Sequence, residues 1–311
     1  MDELQQVEQQ IHHSIQSEQP ILTDICDYVI SSGGKRMRPG VTILSYLACG
    51  GKDVSEAIKI AAAFEMIHSA TLIHDDINDR SEMRRGRPSA FKKYGLQEAL
   101  IGGDFLFVKA FAIGGFFNEV IVNIVAEACT AIAESEIVQI EKEGQVASVD
   151  VYLGIIEGKT AKPIMAGARI GAYLAKAQPH LIPLMGVYGL NIGMAFQIVD
   201  DILDIVGNER TLGKPRMVDF DEGKATLPLI FAMEDGNGGE RISQLFHRKI
   251  KSAQDIEEAS ALIAGTKAVE RAKVMARGYA NRALTTLEDV PDSPHKDGLR
   301  KLAQTVVDRD Y

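Results

Sequence analysis

The 311-residue chain has no tryptophan, only three cysteines and no excess of basic charge. Cys26, Cys49 and Cys129 are odd in number and far apart. That excludes a disulfide framework and a cysteine zinc site, and it fits a reducing compartment. The formal net charge of −9 excludes a general binder of nucleic-acid phosphates, which needs a basic footprint. Any cations that matter must therefore be local. Residues 229–311 show no repeat and no low-complexity tract, and nowhere is there a convincing alternation of apolar and polar residues of the kind that marks a half-buried strand. The opening Met1-Asp2-Glu3-Leu4 lacks the positive-then-apolar order of a secretory signal, so a cytoplasmic protein is expected. The missing tryptophan excludes nothing: 46% apolar and 25% charged residues are ordinary globular proportions.

What is present is a set of long helical patterns. Residues 2–17 are polar and helix-permissive, and Ile21–Ile30 reads as a short amphipathic helix stopped by Ser31-Ser32-Gly33-Gly34. The adjacent His12 and His13 cannot share a helical face as metal ligands and read as surface residues. Val41–Ala48 continues as helix, and Asp53 or Ser55 could cap the next one. From Ala57 the pattern is apolar almost all round, as in a helix buried in the middle of a protein. A helical segment from Ser89 to about Phe117 carries Phe105, Phe107, Phe111, Phe116 and Phe117, an aromatic stripe of the kind that is usually core and could equally wall a cavity. Another helix starts at Asn118 or Glu119 and runs to about Glu143, with Glu136, Gln139 and Glu143 as a polar edge. Leu181–Val199 is long and apolar enough to cross a bilayer. It runs straight into Asp200-Asp201 without a basic anchor at either end, so a buried central helix with a polar tip is the better account.

The apolar helix from Ala57 ends in His74-Asp75-Asp76-Ile77-Asn78-Asp79, followed by Arg84-Arg85. Asp75 and Asp79 are i,i+4 neighbours on one face, where like charges repel. A cation between them removes the conflict, and oxygen ligands on a rigid element suit Mg²⁺. One such cluster reads most simply as a solvated charged face. The second apolar helix, however, ends the same way, in Phe196-Gln197-Ile198-Val199-Asp200-Asp201-Ile202-Leu203-Asp204. Two acidic helix ends could face each other and hold several Mg²⁺ around one diphosphate. A third local feature is Gly33-Gly34-Lys35-Arg36-Met37-Arg38-Pro39: three cations after two flexible glycines, with bidentate donors that match phosphate.

These stretches, with Arg84-Arg85-Gly86, Gly103-Asp104, Lys159-Thr160, Gly213-Lys214-Pro215 and Gly223-Lys224-Ala225-Thr226-Leu227-Pro228, resemble the trans-isoprenyl diphosphate synthase (polyprenyl synthase) family. They occur in the family's order over residues 33–228. The resemblance implies an all-α, single-domain isoprenoid-synthase-type bundle over residues 1–311 around a deep central cavity, commonly a homodimer. It implies Mg²⁺ held by Asp75, Asp79 and Asp200 with Asp76 and Asp204 in support, about three ions to a site. Lys35, Arg38, His68 and Arg85 would hold isopentenyl diphosphate. His68 by itself would read as a core histidine. Arg84, Lys159, Thr160, Gln197, Lys214 and Lys224 would hold the allylic diphosphate, with Asp75, Asp76, Asp79, Lys159, Asp200, Asp201 and Lys214 at the centre of catalysis. Arg87 and Gln139 receive no role, and Lys162-Pro163 departs from the family's apolar residue after Thr160.

The implied reaction is electrophilic prenyl transfer. The allylic diphosphate ionises, the double bond of isopentenyl diphosphate attacks the cation, and a proton is lost. Metal and fixed cations stabilise charge growing on the leaving diphosphate, and apolar walls exclude water. Chain length would be set by Ala70, Thr71, Ile67 and Phe64. Small residues at 70 and 71, with Phe64 about 16 Å up the helix from Asp75, resemble long-chain members making products of about C30–C40. A geranylgeranyl (C20) synthase is the alternative. A terpene cyclase is disfavoured by the intact second Asp motif and Lys35, and a non-catalytic partner subunit by both Asp motifs being present. Transient membrane contact is compatible with a lipid product, but no transmembrane segment is expected.

Overall fold

The computed structural model describes residues 2–207, 216–236 and 238–308. Among these the regular structure is helical apart from one two-residue hairpin. In chain order the helices are α1 (Asp2–Ser14), α2 (Pro20–Ile30), α3 (Met37–Ala48), α4 (Ser55–Asn78), α5 (Ala90–Tyr94), α6 (Leu96–Gly114), α7 (Glu119–Lys142), α8 (Val149–Ile156), α9 (Lys162–Leu174) and α10 (Leu181–Val206). They continue with α11 (Val218–Asp221), α12 (Leu227–Met233), α13 (Gly239–Phe246), α14 (Ala253–Ala264), α15 (Ala268–Thr286) and α16 (Pro294–Val307). Strands β1 (Met83–Arg84) and β2 (Arg87–Pro88) lie between α4 and α5. The all-α class that the resemblance implies is what the described residues adopt.

Several boundaries differ from the sequence reading for local reasons. The segment expected as one helix from Ser89 is two, because Gly95 at φ 106° cannot sit inside a helix. Neither Asp53 nor Ser55 is the N-cap of α4; Val54 holds that position, while Asp53 Oδ1 accepts bonds from Ser55 N and Oγ. The phenylalanine stripe is not all core, since Phe111 is 47% and Phe116 89% exposed. Phe111 is on α6, which also exposes Leu100, Ile101 and Val108, and Phe116 follows two residues after its end.

Contacts gather the chain into two units. The first comprises Met1–Glu127, Pro163–Gly186 and Asp289–Leu299. Its axis is α4, which packs against α6, α3 and α1 and buries residues on almost every side. Small residues let the other helices close in. A Cβ at Gly102 would lie 2.6 Å from Ile25, and one at Gly103 would lie 2.3 Å from His74 Nε2. Gly167 and Gly171 bring α9 against Thr42 of α3, where a Cβ would approach Thr42 to 2.4 and 2.6 Å. This is the close helix packing that their near-helical spacing suggests.

One buried ion pair ties this unit together. Arg36, at φ 45°, donates Nε to Glu8 at 2.7 Å, Nη1 to Glu65 at 2.6 Å and Nη2 to the Ile30 carbonyl at 2.9 Å. Glu65, on α4, is only 4% exposed. The middle cation of Lys35-Arg36-Met37-Arg38 is thus committed to the fold.

The second unit comprises Ala128–Lys162, Val187–Glu288 and Arg300–Tyr311. Its core gathers Tyr152, Ile198, Ile202, Phe220, Phe231 and Phe246. The alanine stripe Ala268, Ala272, Ala276, Ala280 and Ala283 is the buried face of α15, against which α12 packs. Among the described residues, α10 is the one helix long and apolar enough to cross a membrane, and 67% of its most apolar window is buried.

Between α8 and α9 the chain widens into a π-helical turn, Glu157–Ala161. An extra residue per turn shifts the register just ahead of Pro163, whose ring cannot follow an ordinary helical turn. The departure noted at Lys162-Pro163 therefore has a backbone consequence. The turn is clamped on two sides by glycines. A Cβ on Gly158 would fall 1.8 Å from Ser135 Oγ and 2.8 Å from Ala131 O of α7. A Cβ on Gly193 of α10 would fall 2.6 Å from Ala161 Cα.

Candidate active site

The first acidic motif occupies the C-terminal end of α4. The macrodipole there is negative, so carboxylates are unfavourable and cations are favoured. The last turn of α4 contains no basic residue to compensate. The three aspartates are not equivalent. Asp76 is 3% exposed, whereas Asp75 and Asp79 are half-buried and share one face. Asp76 receives the Arg84 guanidinium, with Nε at 2.7 Å from Oδ1 and Nη2 on the same oxygen. Burial opposes the charge on Arg84, but the Asp76 bond and the nearby Asp75 and Asp79 carboxylates outweigh it and raise its pKa. Behind the motif, Gly103 leaves room for the His74 ring, which stacks on Phe107 and lies 3.6 Å from Asp104. That gives the Gly103-Asp104 stretch a structural reason.

Arg84 and Arg85 are adjacent in sequence but serve different places. The hairpin pairs Met83 with Pro88 and Arg84 with Arg87, leaving Arg85-Gly86 as a two-residue turn with φ 53° and 76°. Positive φ at both positions is the tight turn that matches strand twist. Arg84 reaches Asp76, whereas Arg85 Nη1 turns to Ser32 Oγ at 3.0 Å and to the Gly33 carbonyl. Gly34 is bare where the guanidinium crosses: a Cβ would lie 3.1 Å from Arg85 Nη2. Arg87, given no role by sequence, anchors the hairpin. It lies 4.2 Å over the Tyr28 ring and donates to the Tyr28 carbonyl.

His68 lies in this basic neighbourhood. Burial first, then Arg38, Arg85, Arg84 and Arg36 in turn, push its pKa well below 6.5, so it is neutral. Arg85 is itself lowered by burial and by the charges of Arg84, Arg36 and Arg87. Cations crowded around a neutral imidazole gain from an incoming anion. Arg38 and His68 are half-buried and Lys35 is exposed.

In the second unit the π turn carries Lys159 and Thr160. Lys159 Nζ bonds Glu136 Oε2, and Thr160 Oγ1 donates to Gln197 Oε1 at 2.9 Å. Gln197 Nε2 donates to Asp201 Oδ1 at 2.8 Å, and the Tyr152 hydroxyl donates to Asp201 Oδ2 at 2.6 Å. Burial drives the Asp201 pKa up to about 7 against these two bonds. Burial also holds the Tyr152 hydroxyl well above its ordinary value, with Asp201 adding to it. Asp204 is 1% exposed and accepts the Asp219 N–H at 3.2 Å, fastening the start of α11. Asp200 is the half-buried member of the trio. Lys224 pairs with Glu222 at 2.9 Å. Lys214 lies outside the described residues.

Sequence reasoning passed over Tyr152, Glu65 and the pairing role of Glu136. Glu136 was visible as a polar edge. Tyr152, two helical turns before Lys159, was a signal that could have been followed. The polyprenyl synthetase family model matches residues 19–263. The chain belongs to that family. An all-trans-nonaprenyl-diphosphate synthase (geranyl-diphosphate specific) of Rhodobacter capsulatus is 36% identical over 97% of this synthase and 94% of its own length. A geranylgeranyl diphosphate synthase of Saccharolobus solfataricus is 33% identical over 96% and 93%. A crystal structure of a polyprenyl synthase from Caulobacter crescentus, complexed with calcium and isoprenyl diphosphate, has a TM-score of 0.94 and 35% identity, covering 99% of this synthase and 95% of that chain. The synthase is a trans-prenyltransferase that makes prenyl diphosphates, and its substrates are the family's isoprenyl diphosphates.

The family depends on Mg²⁺. The donors here fit a hard divalent ion, being carboxylate oxygens on rigid helix ends. Among the described residues no three His, Cys, Asp or Glu groups come together as a metal cage. One or two carboxylates per ion, completed by water and substrate phosphate, is how Mg²⁺ is usually held.

Proposed function

We propose that this synthase extends an allylic diphosphate with isopentenyl diphosphate to an all-trans product of about C30–C40, the length being read from small residues on the α4 face that leads away from Asp75. Asp75, Asp79 and Asp200 hold Mg²⁺, about three ions for one allylic diphosphate, with Asp76 and Asp204 in support. Mg²⁺ supplies Lewis-acid stabilisation of the leaving diphosphate. Arg84, Lys159, Thr160, Gln197, Lys214 and Lys224 bind that diphosphate. Lys35, Arg38, His68 and Arg85 bind isopentenyl diphosphate without metal. Asp201 orients Gln197 rather than meeting solvent.

The observation that carries this reading is the divergence of Arg84 and Arg85. Condensing two diphosphates needs two anion sites of different character. One arginine lies on the metal-type carboxylates, and the next lies among cations around a neutral histidine. Thr71 shares its helical face with Asp75, Ile67 and Phe64, whereas Ala70 is turned about 100° away. Thr71 is therefore the stronger determinant of length. The protein is cytoplasmic and a homodimer; exposed Leu100, Ile101, Val108 and Phe111 on α6 support a covered apolar face. Product release involves passing contact with membrane.

Purified protein is incubated with Mg²⁺, labelled isopentenyl diphosphate and C10, C15 or C20 primers, and the products are sized. A C30–C40 ladder is expected. A C20 end point overturns the length, and no condensation overturns the reading as a whole.

A further inference from the structure

We propose that Tyr152 is a positioning residue for the allylic site, acting through Asp201 to fix the Gln197 amide and, through it, the Thr160 hydroxyl. This rests on the proposed roles of Gln197 and Thr160. Tyr152 is 4% exposed, on α8, and cannot meet a substrate itself. Its hydroxyl is spent on Asp201 Oδ2 at 2.6 Å. The other oxygen of Asp201 takes Gln197 Nε2 at 2.8 Å, so both carboxylate oxygens face inward and the side chain is 5% exposed. Its neighbour Asp200 remains half-buried.

The direction of the chain of bonds matters. A primary amide can turn over, exchanging its donor and acceptor ends, unless a partner accepts only one of them. In this structure Asp201 accepts at both oxygens, from the Tyr152 hydroxyl at Oδ2 and from Gln197 Nε2 at Oδ1, so it holds the NH₂ end of Gln197. The Oε1 end is left toward Thr160, whose one hydroxyl proton it takes at 2.9 Å, so in this arrangement the second Nε2 proton of Gln197 is the donor left for the diphosphate. Thr160 is on the π turn next to Lys159, and it is 6% exposed. Each link has one geometry as long as Asp201 is held from both sides. Without the Tyr152 hydroxyl, Asp201 keeps one donor and its carboxylate can rotate. Gln197 is then free to turn over, and Thr160 loses its acceptor. The isopentenyl diphosphate contacts, which belong to other residues, are untouched.

The test is Tyr152→Phe, which keeps the ring and removes one oxygen. The expected result is kcat lower by about 10- to 100-fold, the size usual for outer-shell partners of reacting groups. KM for isopentenyl diphosphate should stay within about two-fold, since no link reaches that site. Binding of an unreactive allylic thiolodiphosphate, followed by calorimetry, should weaken. Tyr188→Phe, another fully buried tyrosine, controls for the mere loss of a buried hydroxyl. The pair Tyr152→Phe and Gln197→Leu completes a double-mutant cycle: if Tyr152 works through Gln197, its effect disappears in the Gln197→Leu background. Unchanged kcat in a folded Tyr152→Phe, equal losses for both substrates, or additive effects in the cycle each overturn the proposal. Wild-type protein that condenses nothing overturns the underlying reading instead. If Tyr152→Phe does not fold, Asp201→Asn gives the second arm. In either orientation its amide has one acceptor oxygen in place of two and cannot accept from both Tyr152 and Gln197, so the same selective loss is expected, and a normal kcat overturns the proposal.

Discussion

Gly158→Ala puts the smallest side chain into the tightest contact of the site. Gly158 has no unusual φ, so the effect is steric alone. The new Cβ would lie 1.8 Å from Ser135 Oγ, which can swing aside, and 2.8 Å from the Ala131 carbonyl, which cannot. Relief to an ordinary contact of 3.4 Å requires the π turn or α7 to move by about 0.6 Å. Overpacking of this kind costs about 1–3 kcal/mol, or a few degrees in Tm for a chain of this size. Lys159 and Thr160 move with the turn. A misplacement near 1 Å costs on the order of 100-fold in rate, so a loss of at least about 10-fold in kcat is expected. Initial rates of isopentenyl diphosphate incorporation and thermal melts on the same samples measure the two effects. Adding Ser135→Gly should recover only part of either, because the Ala131 carbonyl remains. If Gly158→Ala keeps wild-type kcat and Tm, the clamped turn is not what positions these side chains.

Three further outcomes are expected. Thr71→Phe should shorten the product, because it puts an aromatic ring about 6 Å along α4 from Asp75, roughly 10 Å short of Phe64; an unchanged product ladder removes Thr71 from the tunnel. Arg36→Met should cost about 3–5 kcal/mol by leaving Glu65 buried and unpaired, and adding Glu65→Leu should restore much of the Tm; a destabilisation that persists in the double variant refutes the pairing. His68 is held neutral by burial and cationic neighbours, so the unfolded chain binds the extra proton first, and stability should fall as pH drops below about 6.5. His68→Gln should flatten the Tm-against-pH curve of the unliganded protein between about pH 7 and 5. Equal slopes in the two proteins would show that another group controls acid stability.

The helical class, the two acidic helix ends and the Gly33-Gly34 stop were legible because each depends on residues a few positions apart. Helical period puts Asp75 and Asp79 on one face whatever surrounds them. The same local logic failed at Gly95 and along the phenylalanine stripe. A run of apolar residues does not say which of them faces outward, and Phe116 does.

The order of residues is enough to make this protein helical, to end two of its helices in paired carboxylate motifs for a hard cation, and to gather its basic residues in short stretches. Packing assigns each member of a stretch its partner. Arg36 goes to Glu8 and Glu65, Arg84 to Asp76, and Arg85 to the Gly33 carbonyl, while Asp76, Asp201 and Asp204 turn inward. The reason is that neighbours along a chain share composition and period, but a charged side chain takes its partner from whatever distant segment packing brings within about 3 Å.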